Sequence, residues 1–139
     1  MNEEFFNIAY KMALKSIKYS DVPVGAVIVK NNKIVSKGYN TREKNYNVTN
    51  HAEINAILKA NKKLKNYFLY DCDLYVTLKP CEMCEKVINN CRIRNVYYLL
   101  DKPNSKKEYS KTQYKLSKSE LSDKYCKLLT NFFDKLRKI

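Results

Sequence analysis

Two short motifs, each at the start of a predicted helix, constrain this chain more than any other feature. His51-Ala52-Glu53 opens one helix, and Pro80-Cys81-Glu82-Met83-Cys84 opens another directly after a strand. His51 is the only histidine in the sequence. Singly, each motif has a plain structural reading: a lone histidine is commonly a hydrogen-bond partner, and a cysteine pair can pack as two small hydrophobes. Together they read as one metal site. Zinc in catalytic sites takes three protein ligands and keeps a fourth position open, and one imidazole with two thiolates supplies that set. Helix N-termini help to deprotonate the thiols, because the unpaired amides there stabilise negative charge. Two anionic sulfurs balance the divalent ion, and the open position can activate a water near neutral pH. Glu53, two residues past the histidine, is placed to shuttle the proton without being a ligand.

The remaining cysteines do not complete a closed structural site by any clear rule. Cys91 lies seven residues beyond Cys84, which on a continuous helix is about 10 Å along the axis. Cys72 and Cys81 fall near opposite ends of one strand. Spacing alone does not exclude Cys126. The reading is an open catalytic site, with Cys72, Cys91 and Cys126 as packing residues.

Periodicity places the other elements. Glu3 to Lys18 reads as an amphipathic helix burying Phe5, Ile8, Ala9, Met12, Ala13 and Ile17. Val24–Lys30 and Lys33–Lys37 flank Asn31-Asn32, a turn able to take positive φ, so a hairpin is expected. Tyr39 to Thr49 reads as a polar loop. The helix from His51 to about Lys63 should be capped by Thr49 or Asn50. Asp73–Leu78 and Asn95–Leu100 read as strands around a helix at Cys81–Asn90, with a last strand near Gln113–Leu116. Glu120 to Lys138 closes as a helix burying Leu121, Tyr125, Leu128, Leu129, Phe132, Phe133 and Leu136. The order predicts a three-layer α/β/α sandwich around a mixed sheet.

The chain has 139 residues, 45% of them hydrophobic, enough for a single domain spanning 1–139. Lys and Arg number 27 against 14 Asp and Glu, a net charge of +13. Such an excess suits a polyanion, although AT-rich coding alone also enriches Lys, Asn and Tyr. Eleven basic residues stand against five acidic ones in residues 101–139, the heaviest share. The longest apolar runs, such as Gly25–Val29, are strand-length and far below the ~20 residues of a membrane span. The N-terminus lacks the pattern of a secretory signal. Five cysteines, two in a Cys-x-x-Cys pair, suit a reducing compartment. A cytoplasmic protein without membrane association is the expectation.

His-x-Glu followed by Pro-Cys-x-x-Cys is the pattern of zinc nucleobase deaminases. The likeness extends through Asp21-Val22-Pro23-Val24-Gly25-Ala26-Val27, Gly38-Tyr39-Asn40, Leu74 to Cys84 and Arg92-Ile93. Over these stretches the chain resembles the bacterial tRNA-specific adenosine deaminases, from about Glu3 to Leu100 and again in its last helix. The resemblance implies a cytidine-deaminase-like fold, one Zn2+ per subunit and a homodimer. It further implies conversion of adenosine to inosine at the wobble position of a tRNA anticodon stem-loop. Carried over by position, His51, Cys81 and Cys84 bind zinc and Glu53 is the proton shuttle. Asn40 hydrogen-bonds the flipped base, the backbone around Ala52 reads its edge, and Val24 packs on its face. The chain departs from the family over 101–119, where Asp101–Ser110 is Lys-rich, lacks Gly and is shorter. A parallel crossover needs about a dozen residues, which leaves open whether the last strand runs parallel, antiparallel or is lost.

Three other readings use the same residues. A deaminase of a free guanine- or cytosine-type base would share the whole zinc site, but needs no basic surface. A thiol oxidoreductase would use strand, Cys-x-x-Cys and helix, yet leaves His51-Ala52-Glu53 without a role. A non-catalytic RNA-binding subunit would need no Glu53.

Overall fold

The computed structural model describes residues 1–102 and 110–137. Its strands are β1 (Gly25–Lys30), β2 (Lys33–Tyr39), β3 (Cys72–Leu78), β4 (Asn95–Leu100) and β5 (Gln113–Leu116). They form one sheet in the order β2-β1-β3-β4-β5. The β1–β2 hairpin turns through Asn31 and Asn32 at φ 51° and 60°, the left-handed pair that matches strand twist. β1 also pairs antiparallel with β3, whereas β3–β4 and β4–β5 are parallel. The last strand is therefore present and parallel. The 12 residues between Leu100 and Gln113 suffice for that crossover; 103–109, within the divergent segment, lie outside the described residues, as do positions 138 and 139.

Helices α1 (Glu3–Ser16), α2 (Arg42–Asn45), α3 (Ala52–Leu64), α4 (Glu82–Asn90) and α5 (Leu121–Arg137) complete the described elements. Strand alternation divides the core in two. Ala26, Ile28, Leu74, Val76, Val96 and Tyr98 face α3 and α4. Val27, Val29, Tyr75 and Leu99 face α1 and α5. Helices thus cover both faces, which is why β1 and β4 are nearly continuous apolar runs. This is the expected three-layer arrangement. Each fully buried large side chain, such as Phe6 or Ile57, contributes about 1.5–3 kcal/mol of burial.

The chain's two glycines mark where helices lie closest to the sheet. A Cβ on Gly25 would stand 1.9 Å from the Ala9 carbonyl oxygen of α1, and one on Gly38 would stand 2.5 Å from that of Ala52 in α3. α3 meets β2 through Ala52, Ala56 and Ala60, all fully buried, and Ser36 Oγ donates to the Ala56 carbonyl at 2.7 Å.

Several expected details are corrected. Ile17 falls in a 3-10 turn (Ile17–Tyr19) and is exposed, while Phe6 and Tyr10 lie on the buried stripe of α1. The loop after β2 contains the short α2. On α5 only Tyr125, Leu129 and Phe132 are buried; Phe133 and Leu136 stay partly exposed because the helix offers the sheet one narrow stripe. Cys126 is exposed, so it is no packing residue, whereas Cys72 is buried and Cys91 half-buried.

Candidate active site

α3 and α4 start at the same place, and each starts on a ligand. His51 and Cys81 are their N-cap residues, with extended backbone at φ −78°, ψ 156° and φ −71°, ψ 171°. Cys84 follows Cys81 by three positions, one helical turn, so both sulfurs project on the same side. His51 Nδ1 lies 3.7 Å from Cys81 Sγ and 3.4 Å from Cys84 Sγ. The three ligand atoms lie within 4.8 Å of one another. One imidazole nitrogen facing two sulfurs at a pair of helix N-termini fits a tetrahedral zinc with a free position. Among the described residues no fourth His, Cys, Asp or Glu joins this group, so Cys126 and Cys72 do not close the site.

The ligand groups and Glu53 are electrostatically linked. The Cys84 thiol hydrogen-bonds to Cys81, which pulls the Cys81 thiol down to about 3 and pushes Cys84 up. The hydrogen bond to Cys81 also holds His51 above its ordinary value. Burial pushes the Glu53 carboxyl up; this side chain is only 3% exposed.

Neither Thr49 nor Asn50 caps α3, and His51 makes no side-chain cap bond. Asn40, just past β2, does the work from a distance in sequence. Its Oδ1 accepts from the Ala52 N–H at 2.7 Å, and its Nδ2 donates to the Val22 carbonyl at 3.0 Å. Its own N–H donates to the Val24 carbonyl at 3.1 Å. Asn40 therefore ties the start of α3 to the 22–24 segment across the opening.

That opening is a cleft of about 240 Å³ lined by His51, Glu53, Asn40 and Val24, among others. Of the seven residues singled out from sequence, His51, Glu53, Asn40 and Val24 line it; Cys81 and Cys84 sit off its wall against His51, and Ala52 is fully buried with its N–H bonded to Asn40. Several lining residues were not anticipated. Asp21 is 2% exposed and accepts from the Glu43 N–H at 2.7 Å, which anchors α2. Lys79, buried directly after β3, approaches Asp101 at 4.0 Å; a charge abutting an apolar strand was its available signal. Arg42 and Lys102 add cations to the wall, and Phe132 and Leu136 bring α5 to it. No sequence pattern places a C-terminal helix over this cleft.

The model of the cytidine and deoxycytidylate deaminase zinc-binding region matches residues 1–100. The tRNA-specific adenosine deaminase of Aquifex aeolicus is 35% identical, over 97% of this chain and 95% of its own length. A solved structure from work on A-to-I editing by tRNA:A34 deaminases at the wobble position of transfer RNA superposes with a TM-score of 0.74. It is 30% identical and covers 81% of this chain and 97% of its own. The guanine deaminase of Bacillus subtilis is also similar, 28% identical with a TM-score of 0.68, covering 94% of this chain and 95% of its own.

Proposed function

This chain belongs to the cytidine and deoxycytidylate deaminase family, and we propose that it hydrolyses adenosine to inosine at the wobble position of a tRNA anticodon. The observation that carries the reading is that His51, grouped with Cys81 and Cys84 as one ligand set, shares a cleft wall with the buried, non-ligating Glu53. His51, Cys81 and Cys84 would hold a zinc ion, which would supply Lewis acidity to ionise water near neutral pH. Glu53, buried beside the ligand set, would take the proton lost by the water that adds to C6 of adenine. The carboxyl would then deliver that proton to the ring nitrogen and relay the remaining proton of the added C6 hydroxyl to the exocyclic amine, so that ammonia leaves as the C6–N bond breaks and the C6 carbonyl forms. Burial suits Glu53 to this exchange, because a raised pKa brings its two protonation states closer in energy at neutral pH.

Asn40 keeps a second amide hydrogen and a second oxygen lone pair beyond its bonds to Ala52 and Val22. Those free positions would read the edge of the flipped base, with the backbone at Ala52 beside them and Val24 against its face. A looped-out anticodon base needs little unstacking, which favours this substrate. The family resemblance further supports a homodimer and a cytoplasmic location; sedimentation and fractionation test these. Among the described residues no helix is long and apolar enough to cross a membrane.

A second reading, deamination of free guanine, has the Bacillus subtilis structure in its favour. Offering an anticodon stem-loop with adenosine at the first anticodon position beside free adenosine, guanine and cytidine separates the two. Inosine in the stem-loop alone supports the RNA reading. Turnover of only the free compounds overturns it.

A further inference from the structure

A second cavity, larger than the zinc cleft, lies elsewhere on the molecule. It measures about 670 Å³ and lies at the far end of α4, where Arg92, Arg94, Lys111 and Tyr70 form part of its wall. Among the described lining residues there are three cations and no carboxylate. Asp73 is off the wall and pairs with Arg94 at 3.2 Å; among the described residues Arg92 and Lys111 have no carboxylate partner, so two of the three charges face the cavity less compensated. Asp71 is exposed on the adjoining loop but is also off the wall.

Beside this basic hollow stands a file of aromatic rings. Tyr67 and Phe68 have ring centroids 4.4 Å apart, and Phe68 and Tyr70 5.2 Å apart. The Arg92 guanidinium lies 5.8 Å from the Phe68 ring centre. Tyr67 is 73% exposed and Tyr70 53%. The loop that holds them is well fixed. The Leu69 N–H donates to the Cys91 carbonyl at 2.6 Å, and Leu69 is fully buried. Two exposed tyrosines on a rigid loop, next to a wall of cations, combine the two features that single-stranded nucleic-acid surfaces share: planar faces for bases and charge for phosphates.

We propose that Tyr67, Phe68, Tyr70, Arg92 and Lys111 form a second RNA-binding surface, separate from the zinc cleft, that stacks unpaired nucleotides of the substrate RNA. The nine residues of α4 separate this surface from Cys81 by about 14 Å, a distance that one folded RNA loop and its flank can bridge. Charge chooses RNA over a protein partner, since a cavity whose described lining carries cations and no acids complements phosphate. The biological identity of the RNA rests on the deaminase reading above; the surface itself does not.

The test uses the full chain and a short oligouridylate, which carries no amino group to deaminate, with binding followed by fluorescence anisotropy. Replacing Tyr67 and Tyr70 together by alanine should weaken binding roughly 5- to 100-fold, as loss of stacking does. Lys111→Gln should weaken it less and reduce the salt slope by about one. Both variants should keep the wild-type melting temperature and turnover of saturating stem-loop. Unchanged affinity in folded variants overturns the proposal. So does a change in sedimentation without a change in RNA affinity, which would assign the aromatic face to contact between copies. Because oligouridylate binding does not depend on deamination, failure of wild type to make inosine would count against the proposed reaction alone.

Discussion

Glu53 and His51 stand two positions apart on one helix start, yet only the histidine contributes to the ligand triad. This division yields a sharp expectation. Glu53→Ala should retain about one zinc per chain by atomic absorption while lowering turnover of the stem-loop by about 10² to 10⁴ or more. Cys84→Ala, which removes a ligand, should lose the metal as well as the activity. Asn40 makes a different case. Its alanine variant leaves the Ala52 N–H and the Val22 carbonyl without their partner, at a cost of about 1–3 kcal/mol in denaturant unfolding, and should raise KM for the stem-loop too. The ligands were readable because metal chemistry demands particular side chains at short spacings. Asp21 and Lys79 were not, since a buried carboxylate or ammonium declares itself only through what surrounds it.

At the level of elements, placement of α3 decides whether the site exists. Gly38→Ala would drive a methyl group into the Ala52 carbonyl. It should cost about 1–3 kcal/mol, as overpacking does, and lower activity beyond the loss of stability, because the displaced helix start carries His51 and Glu53. Circular dichroism melts alongside kinetics on the stem-loop check both effects. α5 acts on the opposite wall. Tyr125, fully buried, donates its hydroxyl to the Pro23 carbonyl at 2.7 Å, next to Val24 in the cleft. Tyr125→Phe should destabilise the fold by about 1 kcal/mol or more and raise KM more than it lowers kcat. Helical and strand periods made these elements legible within a few residues. The facing of α5 and the true cap of α3 were not, because both depend on segments distant in sequence.

Over the whole molecule, charge and burial set two responses to solution conditions. With a net charge of +13, KM for the stem-loop should rise steeply between low and moderate salt, whereas any turnover of free adenosine should stay nearly flat. A flat response for RNA would remove the basic surface from the substrate's path. Burial pushes the Tyr125 and Tyr114 hydroxyls above the ordinary 10.0 of tyrosine. Each is then more easily ionised in the unfolded chain than in the folded one. The stability this confers is complete below about pH 10 and falls as pH rises beyond it. Urea midpoints taken across the alkaline range should decline from that point, and less so in Tyr125→Phe.

What the chain's sequence determined alone is local chemistry and local period: the His51, Cys81, Cys84 and Glu53 set, the strands that alternate, the hairpin at Asn31-Asn32. These follow from side-chain type and spacing along a few residues, which no distant contact needs to supply. The tertiary structure decided the rest. It made the last strand parallel, handed the capping of α3 to Asn40, laid α5 beside the cleft and set the aromatic loop next to a basic hollow. Each of those outcomes is a meeting of groups far apart in sequence, and their energies come from burial and hydrogen bonds that exist only once the sheet has gathered its helices.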